Sequence, residues 1–358
     1  MARCPRPRPP APAFLDRERP LNGARTSANR YTAVKLQQVS ESCHAVLNER
    51  GRVCDANSGL VNRGGGLVVD TQADVPHAQR MIELFGGVWP GMPKRVVNTS
   101  EDGVRVSGNQ LFAGAEIIAH RTVPGRMTHT ADPGRYRALV EDAGGFASRL
   151  VRRAFRPGAR AAGIQLREEH DFAQIALTPP TTLFDSRYEL DLDGVDVHLI
   201  HVGPCHQVGD TIVHVPGEGV LFAGDTVFRR CTPMGWAGRC EQWLRCLDLI
   251  VWLDPEVIVP GRGPLCGIEG AMELKAYLEY VRDESARCFR LGLDALEAAK
   301  RIDLGPYREW RCPARLVANV EAAYRELRDE AVRQPPNTAS AFEAMYEVAK
   351  ARGLAVEF

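Results

Sequence analysis

The sequence predicts an α/β layered domain with a helical extension at its carboxyl end. Two observations carry this. From about residue 31 short β-rich runs alternate with helical patterns. Beyond residue 268 the pattern becomes helical throughout. The apolar runs "GGLVVDT" (65–71), "KRVVNTS" (94–100), "VDVHLIHVG" (195–203), "GVLFAGD" (219–225) and "EVIVPGRG" (256–263) read as strands, each ending in polar or glycine-containing residues. Loops at strand ends are where a rigid scaffold presents its chemistry.

Three segments are expected: an Arg/Pro-rich disordered tail over 1–30, the α/β domain over 31–268, and the extension over 269–358. In "PARLVANVEAAYREL", Leu316, Val317, Val320, Ala323, Tyr324 and Leu327 share one stripe, with Pro313 suited to a helix start. "ASAFEAMYEVAKA" follows as a last helix. These helices can cap the functional edge, form a homodimer contact or finish the core, and amphipathic stripes most often finish a core.

Composition excludes several function classes. The chain has 45 basic and 45 acidic residues and a formal net charge of zero, so no overall field draws it to nucleic acid or to an acidic membrane. Its 44% apolar content is that of a globular protein. No run has the length of a membrane span, and the first thirty residues lack the apolar core of a secretory signal. Ten cysteines with no CxxC pair read as reduced thiols, which suggests a cytoplasmic protein. No phosphate-binding glycine loop is present, so no nucleotide cofactor is indicated, and "RGGG" at 63–66 reads as a turn.

The loops carry a family resemblance. "NSGLVNRGGGLVVDT", "GPCHQVGDTIVHVPGEGVLFAGDTVF" and "VIVPGRGPL" resemble, in order, the opening hairpin, the third-histidine and bridging-aspartate loops, and the last PGHGP loop of the metallo-β-lactamase fold superfamily. The resemblance covers roughly residues 32–268. It implies a four-layer αβ/βα sandwich with a metal site along one edge, and hydrolases among its relatives. In that family the first metal loop reads HxHxDH after a strand ending in Asn-Thr. Aligned on Asn98, Thr99, Gly108 and Asn109, its four ligand positions are Ser100, Asp102, Val104 and Arg105 here. The remaining three fall on His206, Asp225 and Arg262, and only His206 and Asp225 match.

Arginine stays protonated and has no lone pair to give a metal. Arg105 and Arg262 therefore stand as fixed charges where histidines would hold the second ion, and pairing with Asp102 and Asp225 is expected. The second metal is expected to be lost. Asp102, His206 and Asp225 are the ligands left if a single ion is bound. No cofactor is otherwise expected.

Two function classes follow. One is a metal-independent, hydrolase-like enzyme acting on a small carbonyl-containing or anionic metabolite by isomerisation, cyclisation, elimination or hydrolysis. In it His206, Asp225, Asp102, Arg105 and Arg262 are catalytic, and Arg105, Arg262, Ser100 and His201 bind substrate. The other is an inactive pseudoenzyme kept as a binding or regulatory module, in which the same charges only satisfy one another and His206 hydrogen-bonds Asp225. A mononuclear metal hydrolase is a further alternative. Asp70 and Asp210 read as loop-fixing acceptors. Cys205 is a weak nucleophile candidate because neighbours on an extended segment point apart. His198 reads as a satisfied strand histidine, and His120 as lying behind the site.

Overall fold

The computed structural model describes residues 34–48, 50–144, 156–235, 237–330 and 337–358. The tail expected over 1–30 lies outside the described residues. Two sheets form the centre. The first has seven strands in sequence order: β1 (Val34–Gln38), β2 (Cys43–Asn48), β3 (Ser58–Val61), β4 (Leu67–Val69), β5 (Arg95–Val97), β6 (Glu116–His120) and β7 (Thr182–Phe184). The second has five: β8 (Arg187–Asp191), β9 (Asp196–His201), β10 (Thr211–Val215), β11 (Val220–Phe228) and β12 (Val257–Arg262), ordered β12-β11-β10-β9-β8. All five runs expected as strands are strands.

Alternating side chains assign the layers. Leu67, Val69, Val97 and Ile118 of the first sheet meet Leu199, Val213, Phe222 and Val259 of the second in one core. The intervening Val68, Val96 and Ile117 face outward and pack with Met81 and Phe85 of the helix Val75–Gly86. On the far side, Leu221, Ala223 and Ile258 pack against Trp243 and Leu247 of helix Cys240–Leu253 and Leu274 and Tyr277 of helix Ile268–Arg290. The order is helix, sheet, sheet, helix, the four-layer sandwich that the resemblance implied.

The extension completes this last layer. Leu316, Val317, Val320 and Tyr324 of helix Leu316–Leu327 are buried in the same core as Trp243 and Tyr277. Phe342, Met345 and Val348 of helix Thr338–Arg352 join them. The stripe is thus covered within the chain and needs no second copy. Leu327 departs from the expected stripe and stands 47% exposed, because it falls in the helix's last turn. No helix among the described residues is long and apolar enough to cross a membrane.

Candidate active site

The site lies where β4, β5, β11 and β12 reach their carboxyl-terminal portions, beside the loop joining β9 to β10. After β5 the chain turns through Asn98 and Thr99 into a single helical turn, Gly103–Val106, capped by Asp102, whose side chain accepts from Val104 N at 3.3 Å. The turn points Arg105 inward. Its own carbonyl is held by Thr71 N at 3.0 Å and Asn98 Nδ2 at 2.9 Å.

All five N–H groups of Arg105 find acceptors inside the protein. Nε and Nη2 donate to the two oxygens of Asp225, at 3.2 and 2.6 Å. Nη1 donates to Asp70 Oδ2 and to the Asn57 carbonyl, both at 3.0 Å, and Nη2 also reaches the Gly261 carbonyl at 3.2 Å. The side chain is 0% exposed. Gly261 makes the approach possible, because a Cβ there would lie 2.5 Å from Arg105 Nη2 and 2.4 Å from the Gly224 carbonyl. Burial works against the Arg105 charge, but Asp225 and then Asp70 hold its pKa above the ordinary value.

Arg262, at the end of β12, donates through Nε to Asp225 Oδ1 at 3.3 Å and through Nη1 to the carbonyls of Arg52, Val53 and Asp55 at 2.6–2.8 Å. Its guanidinium lies over the Phe228 ring, 5.6 Å from the centroid. Burial alone would raise the Asp225 pKa; Arg105, Arg262 and His206 instead hold it well below the usual carboxylate range. Asp70 differs. Burial pushes it up to about 6, only partly offset by Arg105 and by Thr99, which donates through N at 2.8 Å and Oγ1 at 2.7 Å.

Several expectations need correction. The second carboxylate on Arg105 is Asp70, not Asp102. Asp102 caps its turn at the half-buried outer edge, whereas Asp70 lies beneath Arg105 at the end of β4. Arg105, with no donor left, cannot clamp a substrate. His206 and Asp225 are not hydrogen-bonded: His206 Nδ1 stands 4.0 Å from Asp225 Oδ2. Ser100 is buried in the turn, with its Oγ accepting from Asp102 N at 3.3 Å. His201 stacks on His120 with centroids 3.6 Å apart and bonds the Val208 carbonyl at 2.9 Å, so its contacts lie away from His206. The expected reading of His120 as behind the site agrees with that stack, and burial lowers its pKa to about 4. His198 meets Arg187 at 3.1 Å on the sheet.

His206 is the unusual member. It is 1% exposed, flanked by Phe228 and Trp243 at 5.7 and 6.1 Å, and neither ring nitrogen has a hydrogen-bond partner. Burial lowers its pKa, with Asp225 and Asp102 pulling the other way, so it is neutral at neutral pH. Its loop is pinned by Asp210, which accepts from Gln207 N at 2.8 Å, and by the buried Glu101, which accepts from Val208 N and Gly209 N. Asp210 thus has the loop-fixing role read for it. Cys205 is buried, its thiol pushed far above the ordinary range by desolvation, and it donates to the Val202 carbonyl.

A small cleft opens beside these groups. Asp102, Gln207, Arg262, Tyr136, Met234 and Phe342 contribute to its lining, and it holds about 30 Å³, room for a water molecule or two. Phe342 comes from the extension, and Arg135 Nη2 ties to Thr338 Oγ1 at 2.7 Å across the same mouth, so the last helix caps this edge. Gln207 was not legible as a site residue. Its Nε2 faces Asp102 Oδ2 at 3.4 Å, as a carboxylate requires, which leaves its Oε1 buried without a donor.

The residues do not fit the two-metal centre of the resembling family. Two guanidinium groups fill the second position. At the first, ligand atoms of Asp102, His206 and Asp225 lie within 4.8 Å of one another, but both Asp225 oxygens already accept from Arg105 and only one imidazole remains.

Comparison with known proteins agrees with this frame. The model of the metallo-beta-lactamase superfamily matches residues 51–262. The alpha subunit of 2,4-dinitroanisole O-demethylase from Nocardioides sp. (strain JS1661) is 32% identical over 122 residues, 33% of this chain and 34% of that protein. The match thus spans about a third of that relative's length. Among solved structures, the stereoselective inverting sec-alkylsulfatase Pisa1 from Pseudomonas sp. superposes with a TM-score of 0.59 at 16% identity, covering 82% of this chain and 50% of that one. A metallo-beta-lactamase family protein of Thermus thermophilus gives 0.55 at 20% identity, covering 80% and 93%. At these identities the structural likeness concerns the fold.

Proposed function

The chain belongs to the metallo-beta-lactamase superfamily, and from that premise we propose that it is a hydrolase-like enzyme whose chemistry is carried by His206 without the family's metal pair. The observation that supports this most is the pair of nitrogens without hydrogen-bond partners on a buried imidazole, beside an Asp225 carboxylate whose pKa Arg105 and Arg262 hold well below the usual range. A network kept only for structure satisfies its buried polar groups.

In this reading Arg105 and Arg262 hold Asp225 ionised and fixed on β11. Asp225 orients His206 once the 4.0 Å gap shortens in a substrate complex, as catalytic hydrogen bonds commonly do. The imidazole takes a proton from water or from the substrate. Asp102, steadied by Gln207, stands on the cleft side to receive or return it. The edge of Arg262 that lines the cleft favours a small carbonyl-containing or anionic substrate. The O-demethylase subunit named above is the relative that supports ether-like substrates. Nine described cysteines stand as free thiols, which supports a reducing, cytoplasmic setting.

A second reading has its own support. The full satisfaction of Arg105 and a cleft scarcely larger than water favour a catalytically silent binding module. A panel of carboxylic, sulfate and phosphate esters, lactones and aryl methyl ethers separates the two. The enzyme reading expects turnover of one class, lowered about a hundredfold or more in His206→Ala. Absence of turnover across the panel favours the module, whereas turnover unchanged in His206→Ala would remove His206 from the chemistry.

A further inference from the structure

A second group of metal-binding side chains stands apart from His206. Asp74 caps the helix Val75–Gly86, with Oδ1 accepting from His77 N at 2.9 Å. His77 Nδ1 lies 2.7 Å from the same oxygen, one helical turn on. His170, which follows helix Pro157–Glu169, brings its Nδ1 to 2.9 Å from Asp74 Oδ2, and Asp171 N reaches that oxygen at 3.2 Å. The two rings stack, with centroids 4.7 Å apart and planes 29° from parallel. The Asp74 side chain is 0% exposed and the imidazoles are 4% and 1% exposed.

Two imidazoles therefore flank the two oxygens of one carboxylate, with ligand atoms of all three residues within 4.8 Å of one another. A bidentate carboxylate and two imidazoles make a four-donor set. Its nitrogen content suits zinc, cobalt(II) or iron(II), and not calcium or magnesium, which prefer oxygen alone. The backbone N–H groups of His77 and Asp171 fix the carboxylate from outside, as outer-shell donors do in metal sites. Unlike Asp225, this carboxylate has no guanidinium on it among the described ion pairs.

We propose that Asp74, His77 and His170 form a binding site for one transition-metal ion of the zinc class, joining the start of helix Val75–Gly86 to the end of helix Pro157–Glu169. Binding replaces the Nδ1 protons of both imidazoles, which leave to solvent or move to Nε2. The site shares no residue with the His206 cluster, so it stands or falls independently of the proposed activity.

The test uses the full, untagged chain after chelator treatment, titrated with cobalt(II) and followed by visible absorption, then displaced with zinc. About one equivalent should bind. His170→Asn and His77→Asn, which keep an N–H donor toward Asp74 but remove the imidazole, should weaken uptake about tenfold or more. His206→Leu should bind like the wild type. Thermal unfolding serves as the folding control: zinc should raise the midpoint of the wild type and leave His170→Asn unmoved. Absence of saturable cobalt uptake overturns the proposal and leaves the three residues as a hydrogen-bonded cap. Uptake unaffected by His170→Asn, or abolished by His206→Leu, overturns it equally.

Discussion

At Arg105 every N–H finds an acceptor, whereas at His206, on the facing loop, neither ring nitrogen does. Both residues are buried, and both touch the field of Asp225. Around Arg105 and Arg262, two fixed cations, two carboxylates and five backbone carbonyls close on themselves. Around His206, both imidazole nitrogens stay without a partner, next to Gln207 and Asp102 of the cleft lining. Asp225 thus faces a satisfied network on one side and an unsatisfied ring on the other.

The largest effect that would sharpen this contrast is at Arg105. Arg105→Met removes the bidentate partner of Asp225, leaving it only Arg262, and takes the guanidinium off Asp70; it should cost about 3–5 kcal/mol in chemical denaturation, part of it recovered when Asp225→Asn removes one under-compensated charge. An additive double variant would mean that the pair is not coupled. Arg262→Ala leaves Arg105 on Asp225 but strands three carbonyls, so a loss of about 2–3 kcal/mol is expected by the same assay. Gly261→Ala should cost about 1–3 kcal/mol, because its methyl would enter the space of Arg105 Nη2. A neutral Gly261→Ala would show the Arg105 half to be looser than its hydrogen bonds imply.

The smallest effect tests the other half by pH. The pKa of His206 is lowered by burial, so between its folded value and the unfolded value of about 6.5 the unfolded chain binds more protons. Its contribution to stability is then present above about pH 6.5 and is lost as pH falls toward the folded pKa. Relative to wild type, His206→Gln should show a shallower loss of stability on acidification below that point. An unchanged acid limb would indicate an imidazole that is not desolvated.

The layers were legible because β4, β5, β9, β11 and β12 are apolar runs whose alternation fits a sheet buried on one or both faces. The opposite edge of the second sheet was not. β8, Arg187–Asp191, reads as a mixed polar segment because one of its faces is in solvent. The alignment on Asn98 and Asn109 put Arg105, and the "VIVPGRGPL" loop put Arg262, at ligand positions of the resembling family, and the two meet on Asp225. It could not show that Asp70 lies beneath Arg105, since the partner of a buried charge is set by which strand end lies under it. Gln207 carried only the weak signal of adjacency to His206. Asp74 and His77 form a D-x-x-H step at a helix start, but His170 is 96 residues further on and only the fold brings it there.

The most direct test of the contrast is thermal unfolding of His206→Leu beside Arg105→Met. A buried imidazole without partners contributes little to stability, and replacing it with an apolar side chain should leave the midpoint unchanged or raise it. Arg105→Met should lower it by many degrees. A His206→Leu midpoint that falls as far as that of Arg105→Met would contradict the account, because His206 would then be part of the structural network and not its open half.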